Sequence, residues 1–189
     1  MAEDSEHSAA GLSFTDNISL AWKLVDHALD ENHLALVNES NEAFLRAVTA
    51  IGEFARDVSD DAPDISQEMA RLDAKLNLLL DLVSQLIYAQ LEIPQITRVT
   101  LSSSDIEWRG DHVPQPGATV FLQVYIQRGT PKPLCFYGTV TSTAQECAAG
   151  RARVRYLGLC GSAQAWLDKL IFRHHRREVA YRKSIQSGS

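Results

Sequence analysis

The sequence predicts an α+β chain in which long helices precede a small antiparallel β-barrel and a last helix follows it. Three patterns carry that expectation. Between Ile65 and Leu86 apolar residues recur at alternating gaps of four and three, the heptad spacing of one helical stripe. After Pro94 the period falls to two, in short runs separated by Gly, Pro and Ser, as in strands joined by hairpin turns. From Ser162 helical spacing returns, with Trp166, Leu170 and Ile171 on one side.

Residues 1–13 are polar and acidic, a composition that buries too little to order itself. Residues 14–92 read as a helical oligomerisation segment. Ile18, Trp22, Val25 and Leu29 predict a helix from Thr15 to about Leu36. Phe44, Val48, Ile51, Ala55 and Val58 predict a second over 38–58, which Pro63 ends because proline lacks an amide donor. Asp64 can cap the next helix, with Gln67 returning the bond. Ile65, Met69, Leu72, Leu76, Leu79, Val83 and Leu86 then form one seam through Gln90, roughly 26 residues and ~40 Å long.

The connection over 59–63 is short, so these last two helices are expected to lie antiparallel as a hairpin. Leu80, Leu82 and Ile87 widen the stripe, and a wide stripe favours several helices over one partner. Leaving such a seam wet forgoes on the order of 10 kcal/mol, at ~1.5–3 kcal/mol per aliphatic side chain. Self-association is the expected outcome, with Phe44, Val48 and Ile51 contributing from the preceding helix.

Residues 93–183 read as the barrel with its closing helix, and 184–189 as a tail. Ile96–Leu101 alternates, Ser102-Ser-Ser-Asp105 turns, and Ile106–Trp108 resumes. Ala118–Gln127, Leu134–Thr141 and Arg151–Leu157 follow between turns at 129–133 and 148–150. Five or six short strands at this spacing suggest a small antiparallel barrel.

The net charge of −6 hides an asymmetry: residues 1–63 hold 13 Asp/Glu against 3 Lys/Arg, and the remainder 11 against 15. Two regions with different neighbours are implied. The N-terminus lacks a basic, then apolar, leader. No apolar run approaches the ~20 residues of a membrane span, and a cytoplasmic location is expected. Cys135, Cys147 and Cys160 have no C-x-x-C spacing and are expected to be buried free thiols. Adjacent His174 and His175 diverge on a helix, Cys160 has no base signalled beside it, and no H-E-x-x-H, Walker, G-x-S-x-G or Rossmann pattern occurs. No catalytic residue, metal or cofactor is expected.

Arg98-Val-Thr-Leu-Ser-Ser-Ser-Asp-Ile-Glu-Trp108 resembles the [DN]-x-S-x-x-G element of PilZ domains, receptors for cyclic di-GMP, with Thr100, Ser102 and Asp105 at its three marked positions. The segments 72–83 and 171–180 are similar to the atypical, tetrameric PilZ family. That resemblance, over roughly 40–183, implies a six-stranded PilZ barrel, two added heptad helices and a homotetramer. The chain itself departs from the ordinary ligand motif. Ordinary members carry R-x-x-x-R before the first strand, whereas Ile93–Arg98 has one arginine and Asp105 stands where glycine is usual. A lost bidentate guanine contact costs ~1–3 kcal/mol, so binding in the ordinary manner should be weak or absent.

Arg98, Thr100, Ser102 and Asp105 therefore form a degenerate candidate nucleotide site. Arg151, Arg153 and Arg155, which share one face of a strand, join it, as do Arg173 and Arg177, an R-x-x-x-R pair placed after the barrel. The expected function is a non-enzymatic scaffold or adaptor in cyclic di-GMP signalling, with a protein partner that the sequence leaves unnamed. One alternative is a true cyclic di-GMP receptor using these non-standard arginines. The other, disfavoured because no aromatics interleave the basic residues, is a nucleic-acid binder using the last helix.

Overall fold

The computed structural model describes residues 12–54, 63–88, 94–126 and 132–186. Six strands, Ser13–Leu24 (β1), Ile96–Ser102 (β2), Asp105–Arg109 (β3), Thr119–Tyr125 (β4), Leu134–Val140 (β5) and Arg151–Leu157 (β6), close an antiparallel barrel in the order β1-β2-β3-β6-β5-β4. The helices are Glu31–Phe54 (α1), Pro63–Tyr88 (α2), the short Ala144–Ala148 (α3) and Gly161–Gln186 (α4).

Alternation along the strands sorts core from surface. Val99, Leu101, Ile106, Val120, Leu122, Val124, Ala152 and Val154 are fully buried, while their neighbours in sequence point outward. Gly138 lets β6 pass close over β5, because a Cβ there would collide with the Val154 side chain and stand 2.6 Å from the Arg155 carbonyl oxygen.

The expected first helix is a strand. Ser13–Ser19 pairs with Ser102–Ile96 of β2, and Ser19–Leu24 continues along Tyr125–Val120 of β4. The four–three spacing that suggested a helix is shared by a second pattern, Ile18-x-Leu20-x-Trp22, which alternates. Tertiary pairing decides between them: without β1 the barrel would leave the edges of β2 and β4 open. The helical segment therefore does not begin at residue 14, and the barrel is not confined to 93–183. Residues 12 and 13 are also placed, with Ser13 opening β1. The disorder expected for 1–11, the helix end at 55–62 and the tail residues 187–189 lie outside the described residues.

One continuous core joins the barrel interior to Phe44 and Leu45 of α1 and to Leu167, Leu170 and Ile171 of α4. Two asparagines latch α1 onto the barrel. Asn41 donates from Nδ2 to the Cys135 carbonyl at 2.6 Å and accepts the Cys135 N–H at 2.9 Å. Asn38 does the same across a loop, donating to the Gly158 carbonyl at 2.8 Å and accepting from Cys160 N–H at 3.0 Å.

α2 behaves differently. Met69, Leu72, Leu76, Leu79, Leu82, Val83 and Leu86 are all about half exposed or more, and among the described residues α2 packs on no other element. The expected hairpin with α1 is thus not formed among those residues; α1 lies against α4 and β5 instead.

Candidate functional site: the polar outer face of the barrel

The outward residues of three adjacent strands make one polar face. β2 supplies Arg98, Thr100 and Ser102; β3 supplies Asp105, Glu107 and Arg109; β6 supplies Arg151, Arg153 and Arg155. Strand register aligns them in rows. Thr15, Thr100, Glu107 and Arg153 are successive cross-strand partners, as are Arg109 with Arg151 and Asp105 with Arg155.

Glu107 organises the centre. Arg151 donates from Nε to its Oε1 at 2.8 Å and from Nη2 to its Oε2 at 3.1 Å. Arg153 donates to the same Oε2 from Nη2 at 2.8 Å and from Nε at 3.2 Å. Charge-assisted forks of this kind are among the stronger surface interactions. Burial pushes the Glu107 carboxyl up, but the hydrogen bonds and charges of the two arginines outweigh it and hold the group below its ordinary value. Glu146, fixed by the capping box with Thr143 at the start of α3, stands 3.6 Å from Arg151.

The motif residues are engaged as well. Thr100 and Thr15 hydroxyls lie 2.9 Å apart. The Ser102 hydroxyl accepts the Asp105 and Ser104 amides at 2.9 and 3.2 Å and donates to the Asp105 carbonyl at 3.1 Å. Asp105 does not have a positive φ, so the turn closes through the serine side chain without the freedom glycine would bring. Arg98 and Arg109 line an open recess of about 360 Å³ together with Thr100, Glu107 and Trp108. Arg98, Arg109 and Arg155 are exposed and take part in none of the ion pairs among the described residues.

The helical arginines stand elsewhere. Arg173 donates from Nη1 to the Val48 carbonyl at 3.4 Å, tying α4 to α1, and Arg177 is exposed. His174 stacks on Phe14 with ring centroids 4.5 Å apart. Phe14 pairs with Leu101, so this basic stretch reaches the barrel end that carries the Ser102–Asp105 turn. Burial, with the charges of Arg177 and Arg173, pulls His174 below its ordinary value against the pull of Asp16. No hydrogen bond or ion pair among the described residues joins these arginines to the β6 trio.

Of the seam residues, Phe44 is buried and Val48 packs on the same core, so both are already covered within one chain. Met69, Leu72, Leu76, Leu79, Val83 and Leu86 remain open, while the side chains of Ile51 and Ile65 lie outside the described residues. Sequence reasoning missed Glu107 and Arg109. Their outward phase on Ile106–Trp108 was readable, but the pairing of β3 with β6 was not. Cys135 and Cys147 are half-buried free thiols; Cys160 is exposed at the start of α4, contrary to expectation. The Ser162 hydroxyl holds its thiol below the ordinary value against the opposing push of burial, with the Ala163 and Ser162 amides adding to the hydroxyl's effect. Among the described residues no cluster of His, Cys, Asp or Glu could hold a metal, and no helix is long and apolar enough to cross a membrane.

A closed six-stranded antiparallel barrel with an appended helix is the architecture of a PilZ-type domain, a class of receptor domains. More specifically, the chain belongs to the atypical PilZ domain family, described as cyclic di-GMP receptors, whose model matches residues 45–184. None of the curated proteins matches the sequence. Among solved structures, the chain is similar to a pathogenic protein from Xanthomonas campestris, described as a tetrameric PilZ domain self-assembled through a helical bundle. The TM-score is 0.69 and identity 24%, over 94% of this chain and 95% of that one. The family match begins after β1, whereas the structural likeness spans nearly the whole chain.

Proposed function

We propose that this protein is a non-enzymatic, oligomeric module of cyclic di-GMP signalling, an adaptor that displays several barrels on a helical core. The observation that carries this reading is the open leucine ridge of α2, which no described part of the same chain covers. A tetramer is the assembly we favour, by analogy with the Xanthomonas protein. Ordinary-mode ligand binding is weak in this reading. Glu107 already occupies Arg151 and Arg153, Ser102 is spent on its own turn, and Asp105 adds a carboxylate beside Arg155. The protein works in the cytoplasm, and its output passes through a protein contact.

A second reading is favoured by the three unengaged arginines: a true receptor gripping cyclic di-GMP with Arg98, Arg109 and Arg155. Calorimetric titration of the purified protein separates the two. Absent or millimolar binding supports the adaptor; stoichiometric binding in the low micromolar range supports the receptor and refutes the closed-site argument.

A further inference from the structure

Two arginines stand abreast on the polar face with no free acid between them. The β2–β3 ladder pairs Thr100 with Glu107 and Val99 with Trp108, so the pair that follows is Arg98 with Arg109. Side chains so placed lie ~4.5–5.5 Å apart at Cβ. Both line the same recess of about 360 Å³, and neither takes part in a hydrogen bond or ion pair among the described residues. The carboxylate of that recess is already engaged, because both oxygens of Glu107 accept from the β6 arginines. Like charges directly opposite one another cost stability, and a local cost without a structural return is the mark of a functional position.

The surroundings limit what fits. Further along the face stand Glu107 and, beyond it, Asp105, so an extended polyphosphate would run from the arginine pair into carboxylates. In the other direction Ile96, 65% exposed, shares the outward side of β2 with Arg98, two residues or ~6.6 Å along the strand. A peptide in extended form repeats that spacing, since its side chains i and i+2 point the same way. A carboxylate can then sit between the guanidiniums, with each oxygen accepting from one of them. An apolar side chain two positions away covers Ile96.

We propose that Arg98, Arg109 and Ile96 form the docking site for a protein partner, which presents an extended segment with a carboxylate and an apolar residue two positions apart. The inference rests on the adaptor reading, for which it supplies the protein contact. Its ion pairs are exposed and therefore screened by salt, so the contact is a reversible one.

The test uses the full chain and a fluorescein-labelled Leu-Ser-Glu-Ser-Leu-Ser-Glu-Ser-Leu peptide, followed by anisotropy at low ionic strength. R98Q and R109Q should each weaken binding about tenfold, as expected for loss of a charge-assisted hydrogen bond. I96S should weaken it about threefold. R176Q removes the same charge from an exposed arginine of α4 and should leave binding unchanged. No binding to the wild-type chain, equal losses in R176Q and R98Q, or full binding by I96S overturns the proposal. Light scattering on the same samples reports the oligomer. A monomer that still binds the peptide through the two arginines would sink the adaptor reading alone, and an intact oligomer that does not bind it would sink the docking site alone.

Discussion

Replacing Leu76 and Val83 with aspartate should take the assembly apart and leave the barrel folded. The two side chains are 56% and 51% exposed, and Met69, Leu72, Leu79 and Leu86 are between 49% and 64% exposed. Fully burying an aliphatic side chain is worth ~1.5–3 kcal/mol, so covering the exposed half of each gains about 1 kcal/mol per residue. Six positions then supply about 6 kcal/mol per chain towards association, before the entropy of bringing chains together is subtracted. The double substitution removes about a third of that gain and buries a carboxylate at each site, at several kcal/mol for an unpaired charge. The cost exceeds the gain that remains. Light scattering at micromolar concentration should report a smaller species. The near-ultraviolet dichroism from Trp22, Trp108 and Trp166 should stay native, since α2 touches no other described element. An unchanged mass would show that the ridge is not the adhesive, and the adaptor reading would lose its support.

Glu107→Gln keeps the shape of the side chain but releases the charge that holds Arg151 and Arg153. Calorimetry should then show cyclic di-GMP binding at least tenfold tighter than wild type; no gain would mean the clamp is not what closes the face. The same carboxylate makes stability depend on acid. Its folded value lies below its ordinary one, so its stabilisation is complete above the unfolded value of ~4.3. It is lost as pH falls through the lower folded value. Urea midpoints between about pH 3 and 6 should fall more steeply for wild type than for Glu107→Gln, and parallel curves would contradict the assignment. Asn41, 2% exposed, satisfies both the N–H and the carbonyl of Cys135. Asn41→Ala should cost about 2–4 kcal/mol in denaturant unfolding, and a loss under about 0.5 kcal/mol would mean water replaces the latch.

Local patterns made most of the barrel legible. Period-two alternation placed β2 to β6, because a strand with one buried face must repeat every second residue. The alternation of Arg151, Arg153 and Arg155 correctly gave them one face. The α2 seam was legible for the same kind of reason, as a stripe with nothing local to cover it. Two things were not. β1 carries apolar residues that satisfy both periods, and only its partners β2 and β4, more than 70 residues away in sequence, choose between them. The state of the candidate site was equally hidden. Whether Arg151 is free or clamped depends on Glu107, 44 residues away in sequence, and no spacing rule pairs β3 with β6.

The placement of β1 changes what the two halves of this protein are. β1 and β2 are neighbours in the sheet, with Ser19 paired to Ile96, yet α1 and α2 lie between them in sequence. The helices are an insertion between adjacent strands, tied to the barrel at both ends, and not a separable N-terminal module. A fragment spanning 93–189 should therefore fail to fold. It would lack Phe14, Ile18 and Leu20 from the core, together with Phe44 and Leu45, at ~1.5–3 kcal/mol for each large side chain. It would also present the edges of β2 and β4 unpaired, a template for aggregation. Five such losses come to roughly 8–15 kcal/mol, as much as the whole stability of an ordinary domain, ~5–15 kcal/mol. A fragment from Leu12 to Ser189 should fold, because it keeps all six described strands. If 93–189 proved soluble and cooperatively melting, β1 would be dispensable, and the helices would be free to move relative to the barrel they carry.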